Sequence, residues 1–131
     1  IYVQDTYIRA ARGGTGYAKV GGNYGGGMRA SQDAIQYNCK DVLWLDAKDH
    51  KYVEEIGTSN AFFMIGDEVI TAPLDSGTIL PGITRNSVIQ LLKKWGVPET
   101  YRGVGNCILG EAAKEPEAKP RKDGRIIKID R

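Results

Sequence analysis

Glycine constrains this chain more than any other residue. Seventeen of its 131 residues are Gly, and many of them gather at 13, 14, 16, 21, 22 and 25–27, between a strand-like start and the first amphipathic stretch. A glycine lets the backbone turn left-handed or come close to another group, at about 1 kcal/mol relative to alanine inside a helix. So many at the start of a helix imply that something must approach the backbone there. Between the clusters the hydrophobic period can be read segment by segment. Residues 1–9 read as a short strand leading into the polar loop Arg12 to Gly16, which ends at Tyr17, Ala18 and Lys19. From Asn23 to about Asn38, Tyr24, Met28 and Ile35 recur at about 4 and 7, which predicts a helix with those residues on one side. Asp41 to Asp46 is a compact strand, and Ala61–Ile65 with Glu68–Thr71 reads as a hairpin turning on Gly66 and Asp67. The polar stretch Lys51 to Asn60 lies between these sheet segments. Val88, Leu91, Leu92 and Trp95 predict a further helix that stops at Gly96, before Pro98. The expected fold is α+β: a twisted, mainly antiparallel sheet carrying the Asn23 and Asn86 helices on its surface. From Glu99 onward no period is clear. Residues 111–122 read as a charged linker, and 125–129 as a last short strand.

Charge narrows the function. Eighteen Lys and Arg face 16 Asp and Glu, well mixed along the chain, for a net charge of +2, so no basic face suited to nucleic acid is expected. The longest apolar run, Ala61 to Ile65, is too short to span a membrane, and a cytoplasmic protein is expected. Cys39 and Cys107 have neither CxxC nor Cys/His ligand spacing, so buried thiols are expected rather than a disulfide or a metal site. The chain begins on Ile1, Tyr2, Val3 without an initiator Met, as a fragment would.

Several residues suit chemistry with a phosphorylated aldehyde cofactor, which needs an imine-forming amine, an acid at a ring nitrogen, a donor to a phenolic oxygen and an anion site. In chain order the candidates are Lys19, Tyr24, Glu55 and the Gly82 to Thr84 turn, where free amides begin a helix. Each has a plain alternative: a solvated lysine, a rim aromatic, one of two exposed carboxylates beside Glu54, a capped loop. Whole strings tip the balance. K-V-G-G-N-Y at 19–24, V-L-W-L-D at 42–46, H-K-Y-V-E-E-I-G-T-S-N at 50–60, F-F-M-I at 62–65 and I-L-P-G-I-T-R at 79–85 strongly resemble the branched-chain amino acid aminotransferases, almost without gaps from Ile1 to Gly96.

The resemblance implies a fold-type IV enzyme of pyridoxal 5'-phosphate, with 1–98 a portion of its coenzyme-binding domain and 99–131 a divergent segment. It implies that Lys19 holds the coenzyme as a Schiff base and shuttles the substrate proton. Tyr24 would bond the phenolic oxygen, Glu55 the pyridine nitrogen, and Leu80 would pack on the ring. The amides of Ile83 and Thr84, with the Thr84 hydroxyl, would bind phosphate, and Thr58 would line the substrate side. Asn23 and Asn60 would hold the loops. The implied reaction moves the amino group between leucine, isoleucine or valine and 2-oxoglutarate, giving 2-oxo acids and glutamate, in a homodimer. Two family features are not found: the small N-terminal domain, with its phosphate-binding arginine and pocket aromatics, and a G-T-G-T-A-like loop. A truncated or inactive module that binds the coenzyme or a partner without turnover is therefore the alternative. The CxxC redox pair of some animal relatives is missing, so no thiol switch of that type is expected.

Overall fold

The computed structural model describes residues 1–102 and the backbone of 104 and 105. Cys107, the charged run 111–122 and the expected strand at 125–129 lie outside these described residues. The first strand, β1 (Tyr2–Gln4), lies parallel to β2 (Val42–Leu45), with Tyr2 opposite Val42 and Val3 opposite Leu43. Next to β2 runs β3 (Tyr52–Ile56), antiparallel, and β3 pairs on its far edge with β4 (Ser59–Asn60) and β8 (Val104–Gly105). A second sheet holds the expected hairpin, β5 (Phe62–Ile65) and β6 (Glu68–Thr71), joined through Gly66 at φ 61°. Onto β6 packs a parallel strand, β7 (Glu99–Tyr101), from the segment where no period was legible. Among the described residues four of the six pairings are antiparallel, as expected, although these strands divide between two sheets rather than forming one.

Strict alternation puts a core on each face of β1 and β2. Val3, Leu43 and Leu45 meet Val53 and Ile70, with Phe63 and Ile65 against them, between the two sheets. Tyr2, Val42 and Trp44 point the other way, onto Ala30, Ala34 and Cys39.

The helix expected over 23–38 is divided into α1 (Gly21–Gly25) and α2 (Met28–Gln36). Its facing residues also differ from expectation: Met28 and Ile35 are exposed, and α2 buries Ala30 and Ala34 instead. The reason is distance. Trp44 lies so near that a Cβ on Gly27 would sit 3.3 Å from its ring, so only small residues fit between helix and sheet. The last helix, α3 (Ile83–Trp95), ends as expected on Gly96 in the left-handed conformation, φ 67°. Its buried stripe is turned by about one residue, with Ile89 and Arg85 inside while Leu91 and Trp95 face outward. The polar stretch 51–60 proves to be a central strand and its hairpin, because its acids are buried and bonded rather than solvated.

Candidate active site

Neighbouring positions of a strand point to opposite faces, so Glu54 and Glu55 on β3 serve different surroundings. Glu55 is 1% exposed. Its Oε2 lies 2.7 Å from Arg9 Nε, and its Oε1 accepts the Leu80 amide at 2.8 Å and Asn60 Nδ2 at 3.3 Å. Burial raises the carboxyl's pKa above the ordinary value, against the opposing effects of the Leu80 amide, Arg9 and Lys19. Lys19 therefore stands close enough for its charge to be felt at Glu55. Lys19 itself is exposed at the end of the glycine loop, its Nζ 5.4 Å from the centre of the Tyr24 ring.

Two asparagines fix the loops, as expected. Asn23 Nδ2 donates to the carbonyls of Thr15 (2.8 Å) and Ala18 (2.9 Å), which closes the turn just before Lys19. Asn60 Nδ2 also donates to the Leu80 carbonyl at 2.8 Å, and its Oδ1 occupies the space where any Cβ at position 82 would sit, 2.2 Å away. Gly82 is thus required by packing. It leads into α3, whose ladder starts with Asn86 N–H donating to Gly82 C=O at 3.0 Å. The amides of Ile83, Thr84 and Arg85 precede that ladder, no acid lies in the first turn, and no side chain caps it. Thr84 and Ile83 are exposed, and Leu80 is partly buried beneath the turn. Thr58 is exposed in the β3–β4 turn, beside Gly57 at φ 55°.

Lys19, Tyr24, Glu55, Leu80 and the start of α3 are thus linked in one region by direct contacts or by charge, and Thr58 stands outside this linkage. Sequence reasoning missed Arg9. No local pattern marks it, since its partners are distant: Nη1 donates to Thr78 C=O at 2.7 Å, 69 positions away, and Nη2 to Gly16 C=O at 3.2 Å. On the other face of β3, Glu54 Oε1 accepts the Thr78 hydroxyl at 2.5 Å while Oε2 is buried without a partner. Burial and the neighbouring acids raise its pKa. It borders a cavity of about 230 Å³ with Val53, Ala72 and Ile79.

The strand-borne acid, the amine loop and the uncapped helix start lie in a stretch of chain that is similar to known proteins. Residues 5–105 match the model of the family described as amino-transferase class IV, and the chain belongs to that family, of fold-type IV. Within it, the similarity is to branched-chain enzymes. The chain is 50% identical over 98 residues to branched-chain-amino-acid transaminase 1 of Bacillus subtilis, covering 75% of this chain and 27% of that protein. It is 51% identical over 104 residues to a probable branched-chain-amino-acid aminotransferase of Staphylococcus aureus, covering 79% and 29%. Among solved structures, the branched-chain amino acid aminotransferase from Escherichia coli superposes with a TM-score of 0.71 at 27% identity, over 82% of this chain and 35% of that one. Another similar branched-chain aminotransferase has been crystallised with N-(5'-phosphopyridoxyl)-L-glutamate and with 4-methylvaleric acid. The chain therefore spans about a quarter to a third of its relatives' length. Among the described residues no helix is long and apolar enough to cross a membrane, and no cluster suited to a metal ion is found.

Proposed function

We propose that this chain carries the coenzyme face of a cytoplasmic, homodimeric branched-chain amino acid aminotransferase, which moves an amino group between leucine, isoleucine or valine and 2-oxoglutarate. The observation that carries this reading is the joining, through Glu55, of an amine at 19 and the turn that opens α3.

The residues fit pyridoxal 5'-phosphate by their donor and acceptor chemistry. A carboxylate offers about four lone-pair positions. Arg9, Leu80 and Asn60 take three at Glu55, which leaves one for a protonated ring nitrogen. The uncapped amides of Ile83 and Thr84, with the Thr84 hydroxyl, suit a phosphate. When bound, the coenzyme supplies an aldehyde that receives the amino group and a ring that takes up the electron pair left on the substrate carbon.

The chain's own groups do the rest. Lys19 Nζ would hold the coenzyme and would carry the proton of the substrate's alpha carbon. Glu55, as an anion, would keep a proton on the ring nitrogen. Tyr24 would donate its phenolic hydrogen to the ring oxygen, Leu80 would pack against the ring, and Thr58 would border the substrate.

One observation favours the second reading, a coenzyme-binding module without turnover: Lys19, Tyr24, Thr84 and Ile83 are all exposed, the last by 87%, so no wall among the described residues encloses a substrate. One set of experiments separates the two. Pyridoxal phosphate added to the chain should give a visible absorption band and a borohydride-fixed adduct on Lys19, both lost in Lys19→Ala. Glutamate formed from leucine and 2-oxoglutarate then supports the enzyme, and an adduct without glutamate supports the module. A colourless mixture with Lys19 unlabelled sinks the aminotransferase reading.

A further inference from the structure

Arg9 is the most constrained cation of the described site, and none of the roles assigned above uses it. Its side chain is 6% exposed. Each edge of its guanidinium is spent on a different segment: Nε on Glu55 of β3, Nη1 on the Thr78 carbonyl in the loop that leads to α3, and Nη2 on the Gly16 carbonyl in the loop that ends at Lys19. Those two loops touch as closely as backbone allows. A Cβ on Gly16 would lie 2.5 Å from the Thr78 oxygen and 2.5 Å from the Ala10 Cβ. One side chain therefore ties the amine loop, the acid strand and the anion turn to one another.

The way the fork is divided matters. An arginine that faced a carboxylate with two nitrogens would occupy both oxygens in parallel. Here both Nη atoms are committed to carbonyls, only Nε reaches Oε2, and one acceptor position of Glu55 stays open. We propose that Arg9 is the positioning residue of this site: it fixes the Glu55 carboxylate in place and in its charged form, and sets its distance from the Lys19 loop. The proposal rests on the aminotransferase reading for the use to which the anion is put. It does not rest on it for the geometry.

Two charges bear on Glu55: Arg9 comes from the loop after β1 and Lys19 from the glycine loop, while Glu54, on the opposite face of the same strand, is itself raised by the charge of Glu55. Asn60 of β4 and the 78–82 turn contribute no titratable group. Burial favours the neutral acid, which could not pair with a protonated ring nitrogen, and a permanently charged guanidinium at 2.7 Å opposes that drift.

The test is a carbon-13 NMR titration of glutamate-labelled full chain, with the Glu55 carboxyl assigned through Glu55→Gln, read beside pyridoxal phosphate affinity. In the unmodified chain Glu55 should be ionised at pH 7, and finding it protonated there overturns the proposal without any Arg9 variant. Arg9→Gln should raise the Glu55 midpoint by about one pH unit or more. Arg9→Lys keeps the charge but cannot hold three segments, so its midpoint should move less while its affinity for pyridoxal phosphate falls about tenfold, as Arg and Lys are not interchangeable at a forked site. A folded Arg9→Gln with an unmoved midpoint rejects the proposal. If the midpoint moves but the unmodified chain binds no pyridoxal phosphate, the clamp stands and the aminotransferase reading falls.

Discussion

Gly82 and Asn60 show how little freedom the site has at the scale of single residues. The Asn60 amide spans from Glu55 to the Leu80 carbonyl, and its oxygen fills the space over Gly82. Gly82→Ala must expel Asn60 or shift the turn, since a methyl there meets Oδ1 at 2.2 Å. We expect a loss of about 1–3 kcal/mol, the range of overpacked sites, read as a lower urea midpoint. An unchanged midpoint would show that the turn is looser than its contacts imply. Asn60→Ala should cost about 1 kcal/mol for a different reason: the Leu80 carbonyl keeps the Gly82 amide but loses its second donor, and Glu55 Oε1 loses one of its two. Most of these positions were legible in the sequence because they fall inside unbroken strings, such as I-L-P-G-I-T-R around Gly82. Arg9 was not, since what defines it is contact with Thr78 and Gly16 rather than any neighbour in the chain.

Secondary-structure elements were easier to foresee than the faces they bury. The positions of β2, the β5–β6 hairpin and α3 follow from apolar period and glycine stops, and all three form where expected. The faces of α2 and α3 do not, because the room left beside the sheet decides which side of a helix turns inward, and beside Trp44 only small residues fit. On α2 the stripe of Met28 and Ile35 is outward, and Ala30, fully buried, meets the sheet. Ala30→Leu should therefore destabilise the chain by about 1–3 kcal/mol. Ile35→Gln should stay within about 0.5 kcal/mol, the usual range of surface changes. Thermal or urea unfolding of the two variants decides the matter: if Ile35→Gln proves the costlier, the helix is turned the other way. The strand β3 was hidden for a related reason. Its centre is a pair of acids, and no hydrophobic pattern announces a strand whose buried side chains are carboxylates.

At the scale of the whole molecule, those two acids set how stability follows pH. Glu54 and Glu55 both have pKa values raised in the folded chain, chiefly by burial, so the folded state holds protons that the unfolded state has released. Their contribution to stability is complete below the unfolded carboxylate value of about 4.3 and is lost as pH rises through the folded values. Asp46 works in the opposite direction. Burial alone would raise it, but the amides of Tyr52, Asp49, Lys51 and Lys48 outweigh burial and lower its pKa, so its contribution disappears as pH falls below about 3.9 and through its folded value. The urea midpoint should therefore rise as pH is lowered from 7 towards 5, and fall again near 3. Glu54 is the acid to vary, because it faces the cavity rather than the site, and its unpartnered Oε2 makes ionisation costly. In Glu54→Gln the amide keeps an oxygen for the Thr78 hydroxyl and carries no charge, so the variant should be more stable than the parent at pH 7 and its midpoint should change less between pH 7 and 5. A parent midpoint that is flat over that interval would mean that water or another donor reaches the Glu54 carboxylate.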